Sequence, residues 1–218
     1  MKNIKNILIA IILFLFSRTC IPQEIQKPFV IEHFLHKHFF NFVNTTVYQQ
    51  IENYGALYNT SHIFSSIVFN NGDEIFINAS LTFGNGIISK LENKGYTFPS
   101  TADDLEAYLK NINNSGRKYL LELFYQKKLH RFTIIAGIID STSFIDVNKY
   151  ANDEHTQFLN SMFVNNPIAL LPSYNLGSYI SYKLTKSIKI STVYMENKPD
   201  KGNVGIVEIE YKRKSFST

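Results

Sequence analysis

The side chains best suited to chemistry crowd between 140 and 167: Asp140, Asp146, Asn148, Asn152, Asp153, Glu154, Gln157, Asn160, Asn165 and Asn166. Carboxylates and amides accept and donate within a hydroxyl network, so such a stretch can hold a sugar. It can also supply oxygens to Ca²⁺, although no EF-hand spacing is present, or close on itself through Asn/Asp turns. Other sets are weaker. His33, His36 and His38 stand at i, i+3 and i+5, poor ligand spacing for a helix, and read as a solvated N-terminal stretch. Gly84-Asn85-Gly86 is a turn without the Lys or the strand–loop–helix setting of a phosphate cradle. Neither a Gly-x-Ser-x-Gly elbow nor a His-Glu-x-x-His motif occurs. No motif places a nucleophile or an acid–base pair, so the chain is not expected to be an enzyme or to carry a cofactor.

Composition narrows the classes further. The net charge of +4 is spread along the chain without a basic run, which argues against nucleic acid as a partner. A single cysteine, Cys20, rules out an internal disulfide framework and a multi-Cys zinc site. Charged residues are 18% of the chain, below the roughly 25% of soluble globular proteins. Aromatics are 14%, with 13 Tyr and 18 Phe but no Trp. Few charges and many rings suit a surface that faces lipid at its middle and headgroups at its edges. Residues 1–20 read as a signal peptide: Lys2 and Lys5 precede an apolar run from Ile7 to Phe16, too short to span a bilayer. The cleavage site is not defined by Ser17-Arg18-Thr19-Cys20.

The elements that would position the polar stretch are strands. From Glu74 to Phe83 the odd positions are apolar and the even ones, Phe76 apart, polar. Tyr174, Leu176, Ile180, Tyr182 and Leu184 alternate against Asn175, Gly177, Ser181 and Lys183, and Val207, Ile209 and Tyr211 against Glu208 and Glu210. Period two means a strand with one oily face. Lys118–Gln126 and Arg131–Ile139 are apolar on both faces in places. Eight strands are expected, at about 41–51, 62–69, 74–83, 117–126, 131–139, 173–184, 188–196 and 203–212. The connections 70–73, 127–130 and 185–187 are short, whereas 52–61, 84–116, 140–172 and 197–202 are longer. With the N-terminus on the periplasmic side, every short turn falls at one end and every longer link at the other. That is the plan of an outer-membrane barrel, the one way strands can cross lipid. A short helix is expected at 102–112, capped by Thr101, either folded into the lumen or packed on the rim.

A family resemblance lies in the same polar region. Ala136-Gly137-Ile138-Ile139-Asp140, Tyr150-Ala151-Asn152-Asp153-Glu154, Gln157-Phe158-Leu159-Asn160, Val164-Asn165-Asn166-Pro167 and Pro172-Ser173-Tyr174-Asn175-Leu176-Gly177 together resemble carbohydrate-selective porins of the OprB type. The resemblance covers about 117–196 and, more loosely, 41–83. It implies an all-β, antiparallel up-and-down outer-membrane barrel whose inward loops form a sugar-selective eyelet, with passive diffusion of carbohydrates or other small solutes. The implied partners are outer-membrane lipid and the solute. Asp140, Asp146, Asn152, Asp153, Glu154 and Asn160 are the implied pore-lining candidates. Such porins have 16 strands and about twice this length, so 41–218 reads as about eight strands, half a barrel, after an N-terminal segment at 21–40. Half a barrel leaves two unpaired edges. The eight strands close on themselves, or two copies join as a homo-oligomer, or the chain is a truncated porin. The alternative from another class is an exported sugar-binding or structural β-protein that never enters the membrane.

Overall fold

The computed structural model describes residues 29–33, 36–84, 87, 91, 94, 120–148, 150–153, 155–160, 163–166, 168–169, 171–198 and 200–212. The expected signal peptide and the helix expected at 102–112 lie outside them. Among the described residues nine strands form one sheet: β1 (Phe29–His33), β2 (His36–Ile51), β3 (Tyr54–Phe69), β4 (Glu74–Gly84), β5 (Leu120–Leu129), β6 (Phe132–Ile139), β7 (Asn175–Lys183), β8 (Ile188–Asn197) and β9 (Gly202–Tyr211). The fold is all-β. Each strand pairs antiparallel with its sequence neighbours, in the order β1 to β9. A 3₁₀ turn spans Ser141–Ser143 after β6.

Seven of the expected strands sit within a few residues of their expected bounds, and two differences stand out. The expected connection 52–61 is replaced by a turn at Glu52 and Asn53, and Tyr54 to Ser61 extend β3, pairing with Asn44 to Ile51. The expected turn 127–130 moves to His130 and Arg131, so Lys127, Lys128 and Leu129 belong to β5. Both turns carry a non-glycine residue at positive φ, Glu52 at 49° and His130 at 48°. Such residues give no Asn-Gly or Asp-Gly signal for a tight hairpin. The strands also begin earlier than expected, since β1 and the start of β2 occupy the segment read as 21–40.

The long links keep their common end. β3, β5 and β7 finish at one end of the sheet, in the turns 70–73, 130–131 and 184–187, and β2, β4, β6 and β8 finish at the other, so the links after β4 and β6 leave from the same end as the short turn 52–53.

Register assigns the faces, because residues directly opposite in an antiparallel pair point the same way. One face, called inner here, carries Thr45, His62, Ser80, Asn78, Glu122, Phe124, Ile135, Tyr179, Ser191, Val193 and Glu208. The outer face carries Phe40, Phe42, Leu57, Leu81, Phe83, Leu123, Tyr125, Phe132, Ile134, Leu176, Ile180, Ile190, Tyr194, Val207, Ile209 and Tyr211, all exposed. Of the ionised side chains in β2 to β9, only Lys127 and Glu196 face outward, and both stand near strand ends. Apolar residues look out, and the inner face buries Glu122, Asn175, Ser181 and Ser191 beside apolar Ile135, Ile139, Val193 and Met195.

Candidate functional site

The inner face is occupied by the connection after β6. Ile139 and Asp140 end that strand, and the Asp140 carboxylate accepts from the Thr142 amide (3.0 Å) to start the 3₁₀ turn. The turn aims Phe144 and Ile145 back over the sheet. Phe144 stacks on Tyr179 (centroids 4.9 Å) and meets Phe124 edge-on (5.8 Å). Ile145 joins Phe124, Ile135, Ile139, Tyr179, Val193 and Met195 in the main buried cluster. This cover explains why β5 and β6 read as apolar on both faces: one side meets the loop, the other looks outward.

Past this anchor the loop reaches both flanks of the sheet. The Asp146 amide donates to Glu208 on β9 (2.9 Å). His155 Nδ1 is 2.9 Å from Thr45 Oγ1 on β2, and its ring meets His62 of β3 edge-on at 4.7 Å. Seven strand spacings of about 4.8 Å would put β2 and β9 about 34 Å apart in a flat sheet. The loop does not span that. The Asn165 side-chain amide donates to both Asp146 O (3.4 Å) and Asn152 Oδ1 (3.0 Å), so those two residues lie within two hydrogen bonds of each other. The sheet therefore curls, with the loop in its concave side.

A polar network lines the wall beneath the His155 end. His62 Nδ1 is 3.2 Å from Asn78 Oδ1; Asn78 Nδ2 donates to Glu122 Oε2 (3.1 Å), and the Asp140 amide lies 3.4 Å from Glu122 Oε1. Burying a carboxylate costs several kcal/mol, and these bonds to both oxygens offset part of that cost. Ser80, directly opposite His62, has a buried hydroxyl without a hydrogen-bond partner. From His155 through His62, Phe64, Phe76, Phe124 and Phe144 to Tyr179 the rings follow one another at 4.7–6.4 Å. This row runs across the strands, so it binds loop to wall as packing.

The residues singled out from sequence fall as follows. Asp140 caps the 3₁₀ turn. Asp146 adopts a positive φ of 61°, and its Oδ2 is buried without a hydrogen-bond partner. Asn152 accepts from Asn165, and Asp153 accepts from the His155 amide (2.8 Å) and the Thr156 hydroxyl. The Asn160 carbonyl accepts from the Phe163 amide (2.9 Å). Glu154 lies outside the described residues. So Asp140, Asn152 and Asp153 bond within the loop itself, as Asn/Asp turns do. The structure adds His62, Asn78, Glu122, Thr45 and His155, which sequence reading passed over. Their one sequence signal was polarity at every second position of 74–83, which Asn78 and Ser80 share. Among the described residues no three His, Cys, Asp or Glu side chains converge as a metal site.

No protein-family model matches the chain, and no solved structure matches it. It is similar to a protein of Aquifex aeolicus (strain VF5) described as uncharacterized, with 40% identity over 201 residues. The match takes in 91% of this chain and 62% of that protein, so the chain spans less than two thirds of the relative's length.

Proposed function

We propose that the chain forms an outer-membrane β-barrel, exported through its signal peptide, in which the connection after β6 folds inside and narrows a path for carbohydrates or other small polar solutes. The observation that carries this reading is the outer face. An apolar exposed patch beyond a few hundred Å² marks an interaction surface, and here exposed apolar side chains occur on the outer face of all eight strands β2 to β9, with two charges, both near strand ends, and a polar patch around Asn44 and Asn59 on β2 and β3. Lipid is the partner that fits such a face. The loop-filled concave side fits a small, selective conductance better than a wide pore. Solute contact falls to the polar wall around Thr45, His62 and Asn78 and to the loop candidates Asp146 and Asn160.

The buried cluster of Phe124, Ile135, Tyr179, Val193 and Met195 favours a second reading, an exported β-protein that conducts nothing. One experiment separates them. Residues 21–218 are refolded into detergent and run unheated and boiled on a denaturing gel, then tested for conductance in planar bilayers. A heat-dependent shift with solute-blocked conductance is expected. A shift without conductance leaves the non-channel reading, and a detergent-independent soluble monomer overturns the membrane reading altogether.

A further inference from the structure

We infer that the end of the sheet where β5 and β7 finish carries a binding site for a phosphate monoester, built from Arg131, Lys183 and Lys189. The ladder between β6 and β7 runs one step past Phe132 and Tyr182, with the Lys183 amide donating to Arg131 O (3.0 Å). Lys183 stands directly opposite Lys189 on β8, and Lys189 opposite Glu210 on β9. Opposite residues share a face, and this row lies two positions from Ser181 and Ser191, on the inner face. Lys128, opposite Thr133 and so in line with Ser181, adds a further cation one row along.

Like charges directly opposite one another destabilise a sheet, so the row calls for negative charge. The chain supplies too little of it. Glu210 takes Lys189 (2.7 Å) but also Lys212 (2.9 Å). Glu208, opposite Ser191, has one oxygen on the Asp146 amide. Asp73 takes Lys127, and Glu74 accepts from Ser66 and Gln126. Among the described residues no carboxylate pairs with Lys128, Arg131 or Lys183, and all three are exposed. Arg131 makes one long side-chain bond, to Leu184 O (3.5 Å), which leaves most of its fork open to a ligand.

The shape of the row selects the anion. Two strand spacings of about 4.8 Å make it about 10 Å across, the reach of one compact group and not of a polymer. A phosphate monoester brings roughly two charges and three acceptor oxygens in such a group, and Arg and Lys bind it through charge-assisted bonds. A carboxylate brings one charge and a neutral sugar none. Placed on the inner face, the site narrows the solutes of the proposed path to phosphorylated ones. As a site for binding it stands whether or not the sheet conducts.

The test is calorimetric titration of the whole chain, kept in non-ionic detergent or in buffer according to which disperses it. Glucose 6-phosphate is compared with glucose and with glycerophosphoglycerol, whose phosphodiester carries a single charge. Glucose 6-phosphate should bind about tenfold more tightly than either, and less tightly as salt is raised. Lys183→Gln and Arg131→Gln should each weaken it about tenfold, the loss expected for one bond to a charged group. Lys198→Gln, just past the other end of β8, should change nothing. Removing Lys183 also removes its repulsion with Lys189, so the denaturant midpoint of that variant should match or exceed wild type, which separates lost binding from lost folding. No binding, equal binding of glucose or of the diester, or binding that survives both variants overturns the site. That result would leave the barrel reading untouched, just as a silent bilayer would leave the site untouched.

Discussion

Asp73 closes the turn between β3 and β4 and gathers four bonds. Tyr125 donates its hydroxyl, Lys127 its ammonium (2.9 Å), Asn71 its amide (2.8 Å), and the Lys128 amide lies 3.4 Å away. The Tyr125 bond foremost, then the Lys127 bond, holds the acid down from 3.8 to about 2. A carboxyl depressed in the folded state contributes stability above its unfolded value, and that contribution is lost as pH falls through the folded value. Unfolding midpoints should thus fall between pH 4 and 2 through this group. Asp73→Asn should start lower at pH 7 and show less of that fall, which denaturant titrations at several pH values would read. Gly137 offers a second residue-level case. Its φ is 148°, and an added Cβ would overlap Leu123 O and Phe124 Cα on β5. Backbone cannot yield as a side-chain tip does, so Gly137→Ala should cost about 2 kcal/mol or more, seen as a lower denaturant midpoint. A midpoint equal to wild type would show that β5 and β6 can separate there without loss.

At the scale of the element, each strand is divided between a loop-facing side and an outward side, and each side has its own prediction. Leu81 stands outward on β4, opposite Ser61. Leu81→Arg should cost about 2–4 kcal/mol near a bilayer midplane and almost nothing on a water-facing strand, so assembly yield in detergent against Leu81→Gln decides between the two. This outward side was legible from sequence wherever alternation was clean, as in 74–83 and 203–212. It was hidden in 54–61 because inward Tyr54 and Tyr58 alternate with small or polar Ala56 and Thr60, while outward Asn59 and Ser61 join Asn44 in a side-chain ladder. With polarity on both faces, period two vanishes, and a strand reads as a loop. The polar candidates of 140–167 were found as a stretch, but their partners were not. His155 and Thr45 are 110 positions apart, and no local pattern reports which strand a loop will cross.

For the whole molecule the open question of physics is the sheet's edges. β1 and β9 each pair on one side among the described residues, and an unpaired strand in lipid leaves amides and carbonyls unsatisfied at several kcal/mol apiece. Membrane embedding thus requires a partner for the outward amides of β9: β1 after full curling, a second copy, or further chain of the kind the longer relative contains. These differ in a measurable way. In detergent, hydrogen exchange at alternate amides of β9, those not directed at β8, should be as slow as within β8 itself. If protection is independent of protein concentration, the edge is closed within one chain. If it is lost on dilution, the closing strand belongs to a second copy. Fast exchange at every outward amide, whatever the concentration, would mean that β9 faces water, and with it that this sheet does not lie in a membrane.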